Sequence, residues 1–199
     1  MGTMLQAHDL TLEDFEGHEG CNEILNVTRP DVVRAVHDAY FEVGVDLVET
    51  NTFGANWAPL AEHDITAGIE QPALAGARAA PEAPAHWSTP QQPRFVIGSV
   101  GPGTKLPTLG HAPYALLRDA YQRQVEGMLA GGVDAVLVET VQDVLQAKAA
   151  LVGARRAMDA VGSSAVLIAQ ITVETTGTML VGTETSAALV ALEPLGIDL

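Results

Sequence analysis

The feature that most constrains this chain is a phrase that occurs twice. Gly-Val-Asp-Leu-Val-Glu-Thr occupies 44–50, and Gly-Val-Asp-Ala-Val-Leu-Val-Glu-Thr returns at 132–140. In each copy a short apolar run, Leu47 and Val48 or Val136 to Val138, follows a glycine and ends on a glutamate and a threonine. That is the pattern of a buried strand with a polar tip. A helical pattern precedes each copy, so the unit is helix, glycine, buried strand, tip. Strands apolar on both faces and alternating with helices form a parallel sheet covered by helices. Such sheets gather loops and strand tips at the carboxyl ends of the strands, where their chemistry sits. Glu49 and Glu139 are therefore the first functional candidates.

The rest of the chain repeats the unit. Met1 to Leu5 has the form of a loop that follows a strand, and residues 6–27 read as a long loop. Thr28, Pro30 and Asp31 signal a helix start, with Thr28 as the capping residue. Val32, Val36, Ala39, Tyr40 and Val43 then form one apolar stripe, closed by Gly44. The first strand is expected over 45–51. Ala61 to Trp87 is alanine-rich but carries Pro72, Pro81 and Pro84, each costing about 3 kcal/mol inside a helix, so a broken helix is expected. A strand from Arg94 to Val100 leads into Gly101-Pro102-Gly103-Thr104-Lys105, which lacks phosphate-loop spacing and reads as a turn lining a pocket. Pro113 opens a helix ending at Gly131-Gly132. The second copy follows, then a helix to Val161. A strand over Ala165 to Val173 and a helix over Thr183 to Leu195 come next, and Ile197-Asp198-Leu199 has the form of another glycine-led strand.

With strands near 45, 94, 133, 165 and 197, the repeat suits sequential βα units. A closed (β/α)8 barrel takes about 250 residues. These 199 residues are therefore expected to form an α/β partial (β/α)8 barrel, strands 2 to 5 plus the start of strand 6, as one incomplete domain over 1–199. An open doubly wound sheet is the alternative.

Composition excludes several classes. A hydrophobic content of 47% marks a globular chain. A net charge of -15 argues against nucleic acid or an anionic membrane as partner. No apolar run spans a bilayer and no signal segment is present, so a cytoplasmic protein is expected. Cys21 is the only cysteine, which leaves no thiolate cluster for a metal.

Several motifs stand together in one order: Met-Gly-Thr-Met-Leu-Gln at 1–6, Gly-Cys-Asn-Glu-Ile-Leu at 20–25, Thr-Arg-Pro-Asp at 28–31, Glu-Thr-Asn-Thr-Phe-Gly at 49–54, Gly-Ser-Val-Gly-Pro-Gly-Thr-Lys-Leu-Pro-Thr at 98–108, and Thr-Val-Glu-Thr-Thr-Gly-Thr-Met-Leu at 172–180. Over nearly the whole chain this resembles the homocysteine-binding domain of cobalamin-dependent methionine synthase. The resemblance implies a (β/α)8 barrel in which zinc, held by three cysteines, binds the homocysteine sulfur. Methylcobalamin donates the methyl group and methyltetrahydrofolate replenishes it, both on separate folate and cobalamin domains.

By the same resemblance, Glu139 accepts the homocysteine ammonium, and Met1 and Gly2 bring backbone amides near the substrate carboxylate. For Glu139 the alternative is a helix-capping or surface acid. Glu49, Thr50, Asn51, Ser99, Thr175 and Thr176 sit at strand tips, where pocket lining and a purely structural polar tip fit each equally. The pattern also departs from the family. The acidic residue of the first strand would precede Met1, the zinc cysteines would follow Leu199, and Cys21 matches none of them. No zinc or cobalamin bound by this chain is expected, no catalytic residue is assigned, and the isolated chain is expected to be inactive. Two other functions stay open: a non-catalytic fragment or binding module, and a zinc-dependent homocysteine S-methyltransferase using a sulfonium or betaine donor.

Overall fold

The structure is a computed structural model and describes residues 1–63, 75–77, 84 and 86–199. Four parallel strands, β1 (Leu47–Glu49), β2 (Phe95–Val100), β3 (Ala135–Val141) and β4 (Val166–Ile171), lie side by side in chain order. Seven α-helical segments described from end to end accompany them: α1 (Gly2–Leu5), α2 (Leu25–Thr28), α3 (Pro30–Glu42), α4 (Trp57–Glu62), α5 (Tyr114–Gly131), α6 (Val144–Val161) and α7 (Thr185–Leu192), and residues 75–77, 84, 86 and 87 are helical as well. A doubly wound sheet reverses its strand order at a switch point. No reversal occurs among these four strands.

Burial is one-sided. Val96, Val100, Val136, Val138 and Leu167 pack against Leu117, Tyr121, Val125 and Met128 of α5 and against Ala150, Leu151, Ala154 and Met158 of α6. Each large side chain fully buried there contributes roughly 1.5–3 kcal/mol. The other face carries the smaller cluster Ile97, Ala135 and Leu137 with Ile168 beside it. Leu47 and Phe95, on that same face, remain 47% and 44% exposed.

The repeated phrase folds as its chemistry dictates. Gly44 and Gly132 have φ of 97° and 91°, the left-handed conformation that stops α3 and α5 and turns the chain into a strand. The aspartate two residues later then fixes the strand start. The Val96 amide donates to Asp134 Oδ2 at 2.8 Å, and the Asp134 amide donates back to the Val96 carbonyl at 2.9 Å. The same clip recurs at 196–199, where the Leu167 amide donates to Asp198 Oδ2 at 2.8 Å and the Asp198 amide to the Leu167 carbonyl at 2.8 Å. Ala169 also donates to the Leu199 carbonyl at 3.0 Å, so residues 197–199 run along β4 as the glycine-led pattern suggests.

Four expectations need correction. Residues 2–5 form a helical turn rather than a loop, because Leu5 is buried against Leu25, Val32, Val33 and Val36. The expected loop over 6–27 tightens into a 3-10 turn at Asn22–Ile24 and α2, drawn in by fully buried Leu25. Thr28 does not cap α3: its hydroxyl donates to the carbonyls of Asp14 (2.6 Å) and Ile24 (3.2 Å). Arg29 precedes the helix instead and pairs with Asp31 at 3.0 Å. β1 holds only three of the seven residues expected, since β2 alone pairs with it among the described residues. The broken helix expected over Ala61 to Trp87 lies largely outside the described residues.

Candidate functional site

Parallel strands in one register bring their carboxyl ends to one edge. Glu49 aligns with Ile97, and Val100 with Val138, so Glu49–Asn51, Ser99 and Glu139 are neighbours in space. They face a cleft of about 280 Å3 lined by Met1, Gly2, Glu49, Thr50, Asn51, Ser99 and Glu139, together with Asn22, Glu23 and Phe53. Seven of the eight residues assigned to substrate binding from sequence are thus brought together. Thr175 is not among them: it lies exposed in the turn after β4. Asn22, Glu23 and Phe53 were not singled out from sequence as site residues, although two of the quoted motifs contain them.

Glu139 is held in place on both oxygens. The Ser99 hydroxyl donates to Oε1 at 2.6 Å and the Thr140 hydroxyl to Oε2 at 3.3 Å. Between the pairs Val138 with Ala169 and Val141 with Ile171, β3 spends two residues against one of β4, a β-bulge. Thr140 occupies it with φ of 59°, a conformation β-branched residues rarely adopt.

The tips of β1 and β2 are stitched by a closed ring of hydrogen bonds. The Ser99 amide donates to Thr50 Oγ1 at 3.1 Å, Thr50 and Thr52 hydroxyls meet at 2.5 Å, and Thr52 Oγ1 donates to the Ser99 carbonyl at 2.8 Å. Since the Thr52 proton is committed to that carbonyl, Thr50 donates to Thr52. Gln124 of α5, fully buried, donates to the Thr52 carbonyl at 2.7 Å. Asn51 uses its amide on the Asn22 carbonyl (2.7 Å) and Asn26 Oδ1 (3.0 Å), so it fastens the amino-terminal segment to the sheet. Buried His37 does the same from α3, its Nε2 lying 3.1 Å from the Glu49 carbonyl oxygen. Gly101 leaves room for the cleft's aromatic wall, since a Cβ there would come within 2.6 Å of the Phe53 ring.

The charge of the cleft is one-sided. Its lining carries Glu23, Glu49 and Glu139 and no lysine or arginine. Glu49 is accessible to solvent yet sits within the concavity, and both the surrounding protein and the negative charge of Glu139 raise its carboxyl above the ordinary value. Glu23 Oε1 accepts from the Gly54 amide at 2.7 Å. Among the described residues no three His, Cys, Asp or Glu side chains are arranged so that they could share a metal ion. Cys21 is buried beside Leu60, and burial followed by the charge of Glu23 pushes its thiol up to about 11. A zinc thiolate needs the opposite shift. Cys21 therefore does not fit a thiolate ligand set.

A sequential parallel sheet with an acid-lined cleft at the carboxyl ends of its strands is the arrangement of an α/β enzyme domain. The chain belongs to the homocysteine S-methyltransferase family, whose pattern matches residues 1–199. It is 57% identical over 199 residues to methionine synthase of Mycobacterium tuberculosis and 56% identical to that of Mycobacterium leprae. Both alignments cover all of this chain but only 17% and 16% of those relatives, so the chain spans about one sixth of their length. Among solved structures it is similar to the metallated form of the homocysteine methyltransferase MmuM from Escherichia coli. The TM-score is 0.79 at 21% identity, covering 98% of this chain and 69% of that one. The apo form of the same protein gives 0.72 at 20% identity, covering 98% and 66%. At that identity the likeness concerns the fold.

Proposed function

We propose that the cleft binds homocysteine by its amino-acid end and that the chain is the homocysteine-binding region of a methionine synthase. The observation that carries this is the charge of the lining side chains: three carboxylates and no lysine or arginine, with Glu139 already oriented by Ser99 and Thr140. A carboxylate so placed accepts charge-assisted hydrogen bonds from an ammonium. Gly2 stands in the first turn of α1, whose first amides have no partner inside that helix, which suits a substrate carboxylate, and Met1 lines the same end of the cleft. Thr50, Asn51 and Ser99 then act chiefly by holding the strand tips, while Glu49 forms a wall. Thr175 has no part in this cleft.

In this reading the strands are consecutive strands 2 to 5 of a (β/α)8 barrel, and 1–199 is one incomplete barrel domain of a cytoplasmic enzyme. In the complete enzyme zinc would supply a deprotonated homocysteine sulfur at neutral pH and methylcobalamin would supply the methyl group, and the residues present here would hold neither. Zinc, cobalamin and the folate domain belong to other parts of the enzyme. The residues present here bind and orient the amino acid. Among the described residues no helix is long and apolar enough to cross a membrane.

Calorimetric titration of the 199-residue chain with L-homocysteine, with and without Zn2+, tests the proposal. Saturable binding that does not depend on zinc, and that Glu139→Gln weakens roughly tenfold or more, is expected. Absence of binding, or binding that Glu139→Gln leaves intact, contradicts it. No methionine formation by the purified chain is expected, and measurable turnover would overturn the assignment of the metal to other residues.

A further inference from the structure

We infer that Thr140 is a positioning residue, held in a strained conformation so that two adjacent side chains of β3 serve one cleft. This rests on the reading of the cleft given above and deepens it.

Alternation along a strand sends successive side chains to opposite faces. Val136 and Val138 join the core between sheet and helices, while Ala135 and Leu137 join the opposite face. Glu139 follows that rule and points with Ala135 and Leu137. By the same rule Thr140 would enter the helix-side core as a buried hydroxyl, and Val141 would turn away from it. Neither happens. Thr140 is exposed, and Val141, 1% exposed, packs in the helix-side core with Val136 and Val138. The bulge accounts for both: β3 spends 139 and 140 against a single residue of β4, so the strand resumes one residue late.

Thr140 is thereby freed to set its hydroxyl against Glu139 Oε2, opposite the Ser99 hydroxyl on Oε1. The carboxylate takes a short hydrogen bond on one oxygen and a longer one on the other, which restricts its plane and leaves its remaining lone pairs for a ligand. The cost is a β-branched residue at φ of 59°. Strain retained beside an oriented carboxylate, where glycine or asparagine would sit without it, is what a positioning role predicts.

The test compares Thr140→Gly, Thr140→Asn and Thr140→Ser in the full 199-residue chain by thermal denaturation, homocysteine calorimetry and the 13Cδ resonance of Glu139. Thr140→Gly and Thr140→Asn are expected to melt higher than the parent while binding homocysteine at least fivefold more weakly. Thr140→Ser, which keeps the hydroxyl, is expected to bind within twofold of the parent. The Glu139 resonance is expected to be single and sharp in the parent and to shift or broaden in Thr140→Gly without any ligand. A lower melting point for both Thr140→Gly and Thr140→Asn overturns the strain. Unchanged affinity in Thr140→Gly, or an unchanged Glu139 resonance, overturns the positioning. If the parent itself does not bind homocysteine, the reading of the cleft falls, and the melting points and the Glu139 resonance still decide the role of Thr140.

Discussion

The two copies of the repeated phrase, 44–50 and 132–140, have nearly the same sequence and opposite standing in the molecule. In the second copy the strand is paired on both sides, seven residues long, and buried from Ala135 to Val138. In the first copy only three residues are strand, paired with β2 alone among the described residues, and only Val48 is buried within it. Asp134 clips its strand to Val96, whereas Asp46, 71% exposed, has Arg94 at 3.2 Å. Glu139 receives two hydroxyl donors; Glu49 receives the repulsion of Glu139. Local sequence specifies the unit, and its place in the sheet decides whether the glutamate at the tip is oriented or merely present.

The comparison breaks first on stability. Leu137 and Leu47 are equivalent by distance from the glutamate, but Leu137 is 3% exposed and Leu47 47%. Leu137→Ala is expected to cost about 2–5 kcal/mol in urea denaturation, and Leu47→Ala within about 0.5 kcal/mol of zero. Equal losses would show that the two strands are equally central. The next effect is on affinity. Glu139→Gln is expected to weaken homocysteine binding roughly tenfold to a hundredfold, the weight of a charged hydrogen bond of about 1.5–3 kcal/mol, and Glu49→Gln less than about threefold. A larger loss at Glu49 would exchange the two roles.

The aspartates separate by a smaller margin. Asp134→Ala leaves the Val96 amide without its side-chain acceptor and is expected to cost about 1–2 kcal/mol, while Asp46→Ala loses an exposed ion pair of about 0–1 kcal/mol. Both are read from the same urea curves. The smallest effect is the pH dependence of Glu49. Its folded pKa is raised above 4.5, so the folded state binds the proton more tightly than the unfolded state does. Ionised Glu49 therefore costs stability, a cost absent well below pH 4.5 and complete above the raised value. Glu49→Gln is expected to raise Tm by less than about 2 °C at pH 7, with the gain vanishing as the pH falls below 4.5. A gain that persists under acid conditions would assign it to packing.

Much of this was legible from residue types because it depends on short-range rules. Glycine-led strands, helix stripes and the parallel sheet follow from periodicity and from residues such as Gly44 and Gly132, which accept the left-handed helix stop that other side chains resist. The gathering of Met1, Gly2, Glu49, Thr50, Asn51, Ser99 and Glu139 followed from strand tips sharing an edge together with the family resemblance. What stayed hidden depends on partners distant in sequence. The Thr50, Thr52 and Ser99 ring joins residues 47 to 49 positions apart, and Thr28 loses its capping role to the Asp14 carbonyl, which no local pattern signals. Thr175 carried the same tip-like signature as Thr50, yet the turn after β4 leaves it in solvent. The bulge at Thr140 has no mark in the sequence at all, since a β-branched residue is not expected at a positive φ.

The central claim, that the oriented glutamate of the second copy receives the amino-acid end of homocysteine, is tested most directly by amide NMR of the 199-residue chain during titration with L-homocysteine. The account predicts saturable shifts at Gly2, Thr50, Ser99, Glu139 and Thr140, none at Thr175 or Gly177, and a midpoint at roughly tenfold or more higher homocysteine in Glu139→Gln. Shifts centred elsewhere, or shifts around Glu139 with an unchanged midpoint in Glu139→Gln, would contradict it.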